Sequence, residues 1–392
     1  MSLLDEYIKK RLSGPDLESE LLRLISEYNK LRNTYLLVYV SAIGKPIPDI
    51  QLGQADFYII HDLLKDKKGI NKIDIYIETP GGSGETAEEI VRCLHNNFDT
   101  VSFVVSGEAK SAGTIIVLSG DEILMTETGS LGPIDAQVKI GRSIQSAYDY
   151  MEWVKDKRKE AEKQGSLNPF DATMVAQITP GELGSVFHAL KFAEDLVVEW
   201  LIKYKFKKWT ATETHKIPVT EKMKKERATK IVEELLDHSK WRLHGRSLKI
   251  DDLEGIGLKI TRVEHDPKLA DIVYRIQTVC RRLFDLTTTY KIFATKDNKI
   301  FKMAVPPGGP IRMPTRPLPD LAEINQKCPK CGKMHKIYAK FALNPEIDID
   351  FKKKGYIPFP KDAKLKCQCG YEIDLFGIKN QIEMQAGRKI VS

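Results

Sequence analysis

The stretch VVSGEAKSAGTIIVLSGDEILM, residues 104–125, decides how this sequence is read. An apolar run from Val101 to Val105 breaks at Ser106-Gly107, Lys110 and Ser111 follow, and the chain is apolar again from Ala112 to Leu118. A mostly apolar run before a Ser-Gly break, Val101, Phe103, Val104 and Val105, predicts a buried strand (101–105), and the segment 111–119 predicts a short helix. Residues 122–126 predict the next strand. Ser111 therefore stands where a strand hands over to a helix. Free N–H groups and the positive helix end at such a place stabilise developing negative charge, which suits a nucleophile. A serine at a helix start is equally suited to be an N-cap.

The pattern repeats upstream. Residues 34–40 (TYLLVYV) and 72–78 (KIDIYIE) predict strands, and 52–66 and 85–97 predict helices. Strand, helix, strand, helix, strand at this spacing implies parallel pairing through right-handed crossovers, and near-continuous apolar strands imply a sheet covered on both faces. The second strand ends in Thr79-Pro80-Gly81-Gly82-Ser83-Gly84. Paired glycines let the backbone approach a ligand, either a phosphate or the oxyanion of an acyl intermediate. The phosphate motifs G-x-x-x-x-G-K-[ST] and G-x-G-x-x-G are absent, and a plain βα turn is the other reading. In a parallel sheet both Gly-bearing turns fall at the carboxyl edge, where such sheets bind ligands.

Taken together, Thr79-Pro80-Gly81-Gly82, Ala109-Lys110-Ser111-Ala112-Gly113-Thr114, Leu131-Gly132-Pro133-Ile134-Asp135 and His244-Gly245-Arg246 resemble the Clp protease and signal peptide peptidase A superfamily, whose fold is also that of crotonase. They are closer still to the serine dehydrogenase proteinases, and the similarity covers about residues 34–265. The resemblance implies Ser111 as nucleophile, Gly81, Gly82 and Ala112 around the oxyanion, a peptide or protein substrate, and assembly into a trimer or hexamer-type ring.

A serine needs an adjacent base. Clp proteases carry a histidine about 25 residues past the serine; here that region holds Asp135 and no histidine. Signal peptide peptidases use a lysine, which must be desolvated to act near neutral pH. Lys110 adjoins Ser111, but neighbouring side chains diverge, so it suits an electrostatic role or the orientation of Asp135. Lys139 follows the GPID motif; Lys155, Lys157, Lys159 and Lys163, and His188 and His244, are further candidates. Asp135 suits an orienting carboxylate.

Of six cysteines, Cys93 and Cys280 sit alone in apolar helical contexts, and Cys328, Cys331, Cys367 and Cys369 fall in two close pairs. The segments CPKCGKMH (328–335) and KCQCGYEI (366–373) resemble the knuckles of a zinc ribbon, which implies a structural Zn²⁺ held by four thiolates. The second pair is C-x-C rather than C-x₂-C, and His335 could replace one ligand.

With 42% hydrophobic and 29% charged residues, the composition is that of an ordinary soluble protein. No apolar run reaches 18 residues and the amphipathic N-terminus lacks a signal-peptide core, so a cytoplasmic protein without a membrane span is expected. The net charge is +7, and residues 201–230 alone carry ten Lys/Arg against three Asp/Glu. That run suits nucleic acid or another acidic partner, or simply a solvated helical face. The expected organisation is a helical arm (1–33), an α/β Clp/crotonase-like peptidase domain (34–290), a Pro/Gly-rich linker (291–321) and a zinc-ribbon module (322–392). A catalytically silent scaffold that reads partners through the ribbon is the alternative to a serine peptidase.

Overall fold

The computed structural model describes residues 2–67, 69–134, 136–140, 143–212, 216–304 and 320–391. The chain forms two compact units, one of Ile25–Tyr274 with Tyr290–Lys302, the other of Met1–Leu24, Arg275–Thr289 and Met303–Ser392.

In chain order the helices and strands that matter here are α1 (Leu3–Lys9), α2 (Gly14–Arg32), β1 (Tyr35–Ser41), α3 (Gln54–Leu64), β2 (Lys72–Glu78), α4 (Gly84–Asn97), β3 (Thr100–Val105), α5 (Ala112–Leu118) and β4 (Glu122–Met125). After a hairpin of Gln137–Ile140 and Ser143–Ser146 come α6 (Ala147–Gln164), α7 (Pro169–Val175), α8 (Pro180–Trp200), α9 (Glu221–Leu236), β5 (Thr261–Arg262), α10 (Pro267–Leu286), β6 (Thr289–Ala294) and β7 (Lys299–Met303).

The sheet runs β7-β6-β1-β2-β3-β4-β5. Strands β1 to β5 are parallel, with Leu37 opposite Ile75 and Ile75 opposite Phe103. Every residue of β1 is buried, as a strand covered on both faces requires. Crossover helices supply the cover: Ile90, Val91 and Leu94 of α4 and all of α5 enter the same apolar core as Ile75, Phe103 and Ile123. The expected α/β class and the parallel run are thus present.

Two features depart from the sequence reading. Residues 291–303, expected to begin a linker, instead belong to the sheet: β6 pairs antiparallel with β1, Tyr39 opposite Phe293, and β7 follows at the edge. The alternation in TYKIFA and KIFKM is a strand signal that the Pro- and Gly-rich run after it obscured. That run, 305–319, lies outside the described residues. The hairpin Gln137–Ser146, with Val138 opposite Gln145, was also not anticipated.

His95 of α4 stacks flat on Tyr204, ring centres 3.5 Å apart, and donates Nε2–H to the Ser119 carbonyl at 3.0 Å. Burial depresses its pKa from 6.5 to about 4. The folded imidazole therefore stays neutral where the unfolded one is charged. Its contribution is full above pH 6.5 and is lost as pH falls toward 4. Denaturation midpoints at pH 7 and pH 5 should differ less in His95→Phe than in the wild type.

In the other unit, β8 (Leu321–Lys327) and β9 (Met334–Lys340) form an antiparallel pair, as do β10 (Lys364–Lys366) and β11 (Glu372–Asp374). A helix, α11 (Phe376–Ala386), meets the N-terminal segment within that unit: Asn380 Oδ1 accepts the buried Gly14 N–H, and Arg11 pairs with Asp374.

Candidate active site and candidate metal centre

Both Gly-bearing turns leave the carboxyl edge of the sheet and lock together. Thr79 N–H donates to Glu108 O at 2.8 Å, and Lys110 N–H returns a bond to Thr79 O at 3.0 Å. Gly113 at the start of α5 leaves room for Thr79: a Cβ there would sit 2.5 Å from Thr79 Cγ2. Gly81 has φ 93°, and a Cβ on it would fall 2.7 Å from both Lys110 O and Ser111 Cβ and 3.2 Å from Ala112 N. Glycine is thus required twice over, by conformation and by contact. Its neighbour Gly82 forms a parallel bridge with Leu52, and a Cβ there would meet Leu52 O at 2.3 Å. Gly81 N–H is taken by Thr79 Oγ1 at 3.2 Å. Among the described residues, the N–H groups of Gly82 and Ala112 have no internal acceptor.

Ser111 occupies the N-cap position of α5 but does not cap it. Its backbone lies at φ 50°, ψ −120°, and its side chain makes no cap hydrogen bond. Compare Ser83, an ordinary cap, whose hydroxyl accepts Thr86 N–H at 3.0 Å. Among the described residues the Ser111 hydroxyl has no hydrogen-bond partner at all. A non-glycine residue held at positive φ costs on the order of 1–3 kcal/mol and persists only where its surroundings impose it. The capping reading of Ser111 is therefore the weaker one.

The Lys110 ammonium makes no hydrogen bond to the serine. Only 6% exposed, it donates to Leu131 O (2.9 Å), Ser247 Oγ (2.9 Å) and Arg246 O (3.2 Å). An ammonium has three donors, and all three are engaged. Burial pushes its pKa down to about 8, opposed by Glu108 and assisted by Lys249. Around it, Leu131 and Leu248 exchange backbone bonds of 3.1 and 2.9 Å, and Thr114 Oγ1 joins Ala109 O (2.7 Å) to Gly132 N–H (2.9 Å). Lys110 thus ties three of the sequence motifs into one seam. The HGR motif enters that seam through the Arg246 carbonyl and the following Ser247, a role that side-chain chemistry in the sequence does not suggest.

The remaining base candidates are placed as follows. Lys139 is exposed on the hairpin and makes no hydrogen bond to Ser111. Asp135 lies outside the described residues. Lys155, Lys157 and Lys159 are engaged along α6 by Glu152, by Glu160 and Asp171, and by Asp156. His188 packs edge-on beside Phe187 on α8. The basic segment 201–230 overlaps the first part of α9, which buries Ala228, Ile231, Val232 and Leu235 in the core and leaves Lys222, Lys225 and Lys230 exposed. That is the arrangement of a solvated helical face.

In the second unit, Cys328, Cys331, Cys367 and Cys369 bring their sulfurs within 4.8 Å of one another. Cys328 and Cys369 are 3.7 Å apart, Cys331 and Cys367 3.6 Å. Four thiolates about 2.3 Å from a tetrahedral Zn²⁺ would stand about 3.8 Å apart, so the set fits such an ion. Each pair sits on a tight turn closed by a glycine at positive φ, Gly332 and Gly370, with Gly332 N–H bonded to Cys328 O and Gly370 N–H to Cys367 O, both at 2.9 Å. His335 does not belong to the cluster; it lies on β9 with its Nε2 buried and unpartnered. The shortened C-x-C spacing is accommodated because each knuckle contributes across, not along, the pair.

Residues 59–176 match the family described as ClpP-like SDH-type serine proteinase. This span, less than a third of the chain, is similar to the ClpP-like serine proteinases. The matched span runs from within α3 to the end of α7 and holds TPGG, AKSAG and the hairpin. Two uncharacterized proteins of Methanocaldococcus jannaschii, MJ1495 and MJ0137, are 35% and 39% identical to it over 66 residues. Each match takes in 17% of this chain and only 23% of the relative. A solved structure of the membrane-bound stomatin-specific protease 1510-N aligns with 57% of this chain and 79% of its own, at 13% identity and a TM-score of 0.32, a likeness too loose to argue from. Among the described residues, no helix is long and apolar enough to cross a membrane.

Proposed function

We propose that this chain is a serine peptidase that cleaves peptide bonds through an acyl-enzyme on Ser111. The observation that carries the reading is the strained, uncapped and unpartnered Ser111 wedged against Gly81 at the carboxyl edge of the sheet. Ser111 Oγ attacks the peptide carbonyl carbon and its proton passes to the base. The resulting oxyanion is received by the free N–H groups of Gly82 and Ala112. Collapse of the tetrahedral intermediate expels the amine with that proton. Water then attacks the ester and restores the serine.

Lys110 is a positioning residue in this scheme, because its ammonium is spent on three acceptors. By holding Leu131 it fixes the start of the segment that leads to Asp135 and Lys139. Lys139 is assigned as the base, with Asp135 orienting it. Lys139 is exposed on its hairpin, so this role requires that the hairpin close over Ser111 and desolvate the ammonium. Assembly into a trimer or hexamer-type ring belongs to the same reading, supported by the exposed apolar side chains of Phe170, Met174 and Phe187 on α7 and α8. Analytical ultracentrifugation checks it. The four cysteines would hold a structural Zn²⁺.

The direct experiment is labelling with a fluorophosphonate and mapping of the adduct. The adduct is expected on Ser111. Lys139→Ala should slow labelling by about 10²–10⁴-fold without unfolding the protein, the range for loss of a general base. A folded, metal-loaded protein that never labels would sink the peptidase reading in favour of the silent scaffold.

A further inference from the structure

One lysine in the sheet has no part in the scheme above. Lys291 lies in the middle of β6, in the run TYKIFA, and is fully buried. Its Nζ donates to Asp56 Oδ2 and to Gln51 O, both at 2.7 Å. Asp56 is also fully buried, and the same carboxylate oxygen accepts Gly53 N–H at 3.1 Å and the Tyr39 hydroxyl at 3.2 Å. Its other oxygen has no hydrogen-bond partner and lies 3.6 Å from the Lys302 ammonium.

The segment held in this way, 51–56, is the one that grips the oxyanion turn. Leu52 N–H donates to Gly81 O at 2.8 Å, and Leu52 O accepts Ser83 N–H at 3.0 Å. Gly82 lies so close to Leu52 that no side chain fits between them. A continuous path of bonds therefore runs from Lys291 through Gln51 and Leu52 to Gly81 and Gly82, and thence by contact to Ser111.

Stability alone does not account for the pair. Desolvating two charges costs as much as their attraction returns, and well-packed apolar replacements of buried ion pairs are often neutral or stabilising. The pair differs from an apolar couple in holding the Gln51 carbonyl and the Gly53 amide, which fix where Leu52 sits.

We infer that Lys291 and Asp56 are positioning residues that set the oxyanion turn, Gly81-Gly82, against Ser111. The inference rests on the peptidase reading of that site. Its test is the double variant Asp56→Leu/Lys291→Met, followed by three measurements: fluorophosphonate labelling rate per folded molecule, denaturation midpoint, and hydrogen exchange at the Leu52 and Ser83 amides. Labelling should slow by about 10- to 100-fold, as small misplacements of a reacting group do. The midpoint should hold or rise, and both amides should exchange faster. Wild-type labelling rates in the variant would overturn the inference and leave the peptidase reading intact. A wild-type protein that does not label would overturn both. If the double variant fails to fold, Tyr39→Phe replaces it: the ring keeps its stack on Phe293 at 5.1 Å and loses the hydroxyl's bond to Asp56 together with its interactions with Ser41 and Thr79. A two- to fivefold slower labelling is then expected, and an unchanged rate overturns the inference.

Discussion

Ser111→Gly is expected to abolish hydrolysis and fluorophosphonate labelling while making the protein more stable. Loss of a nucleophile in a serine peptidase lowers turnover by about 10⁴–10⁶-fold. The stability gain comes from the backbone. Ser111 sits at φ 50°, ψ −120°, a region that glycine enters freely and serine does not. Relief of that strain, on the order of 1–3 kcal/mol, outweighs the roughly 0.5–1 kcal/mol that glycine loses in chain entropy. Ser111→Ala removes the same hydroxyl but keeps a Cβ, so it should be equally inactive and no more stable than the wild type. Denaturant midpoints of the two variants separate the effects. A Gly variant no more stable than the Ala variant would show that no strain is stored at this serine.

Removal of the proposed Zn²⁺ is expected to unfold the cysteine module. Its core contains Ile337, Ala339, Phe359, Ala363, Leu365, Ile373 and Leu375, and two of the thiols, Cys328 and Cys367, are buried among them. A core this small needs a staple. Structural Zn²⁺ in such a site contributes an apparent ~10–16 kcal/mol at neutral pH, well above what the apolar contacts alone can supply. Native mass spectrometry should find one zinc per chain. A strong chelator, or Cys367→Ser, should expose residues 320–375 to limited proteolysis. A metal-free protein that resists protease would mean four ordinary cysteines.

The parts of this architecture carried by local pattern were legible in the sequence. KIDIYIE alternates so cleanly that the expected strand, 72–78, and the observed one share both ends. Paired glycines after that strand and AKSAG after the next located the two turns, because only particular residues satisfy such geometry. What escaped was tertiary. Nothing near Lys291 announces that its partner is Asp56, and an isolated lysine in a strand looks like an outward-facing one. Lys110 drew notice through its adjacency to Ser111, yet its ammonium is directed by acceptors at 131, 246 and 247. The Ser111 torsion, the sign that separates this serine from a helix cap, leaves no mark in composition or spacing.

The tie between Gln51 and Lys291 spans 240 positions of sequence. A ribosome delivers Ser111 about 180 residues ahead of Lys291, which at ordinary synthesis rates is a delay on the order of 10–40 s. During that interval the segment 51–56, which grips the glycine turn, lacks its bonds to Lys291. The strand that carries Lys291 is thus made late, and the proposed oxyanion turn gains its last brace only after that strand joins the sheet.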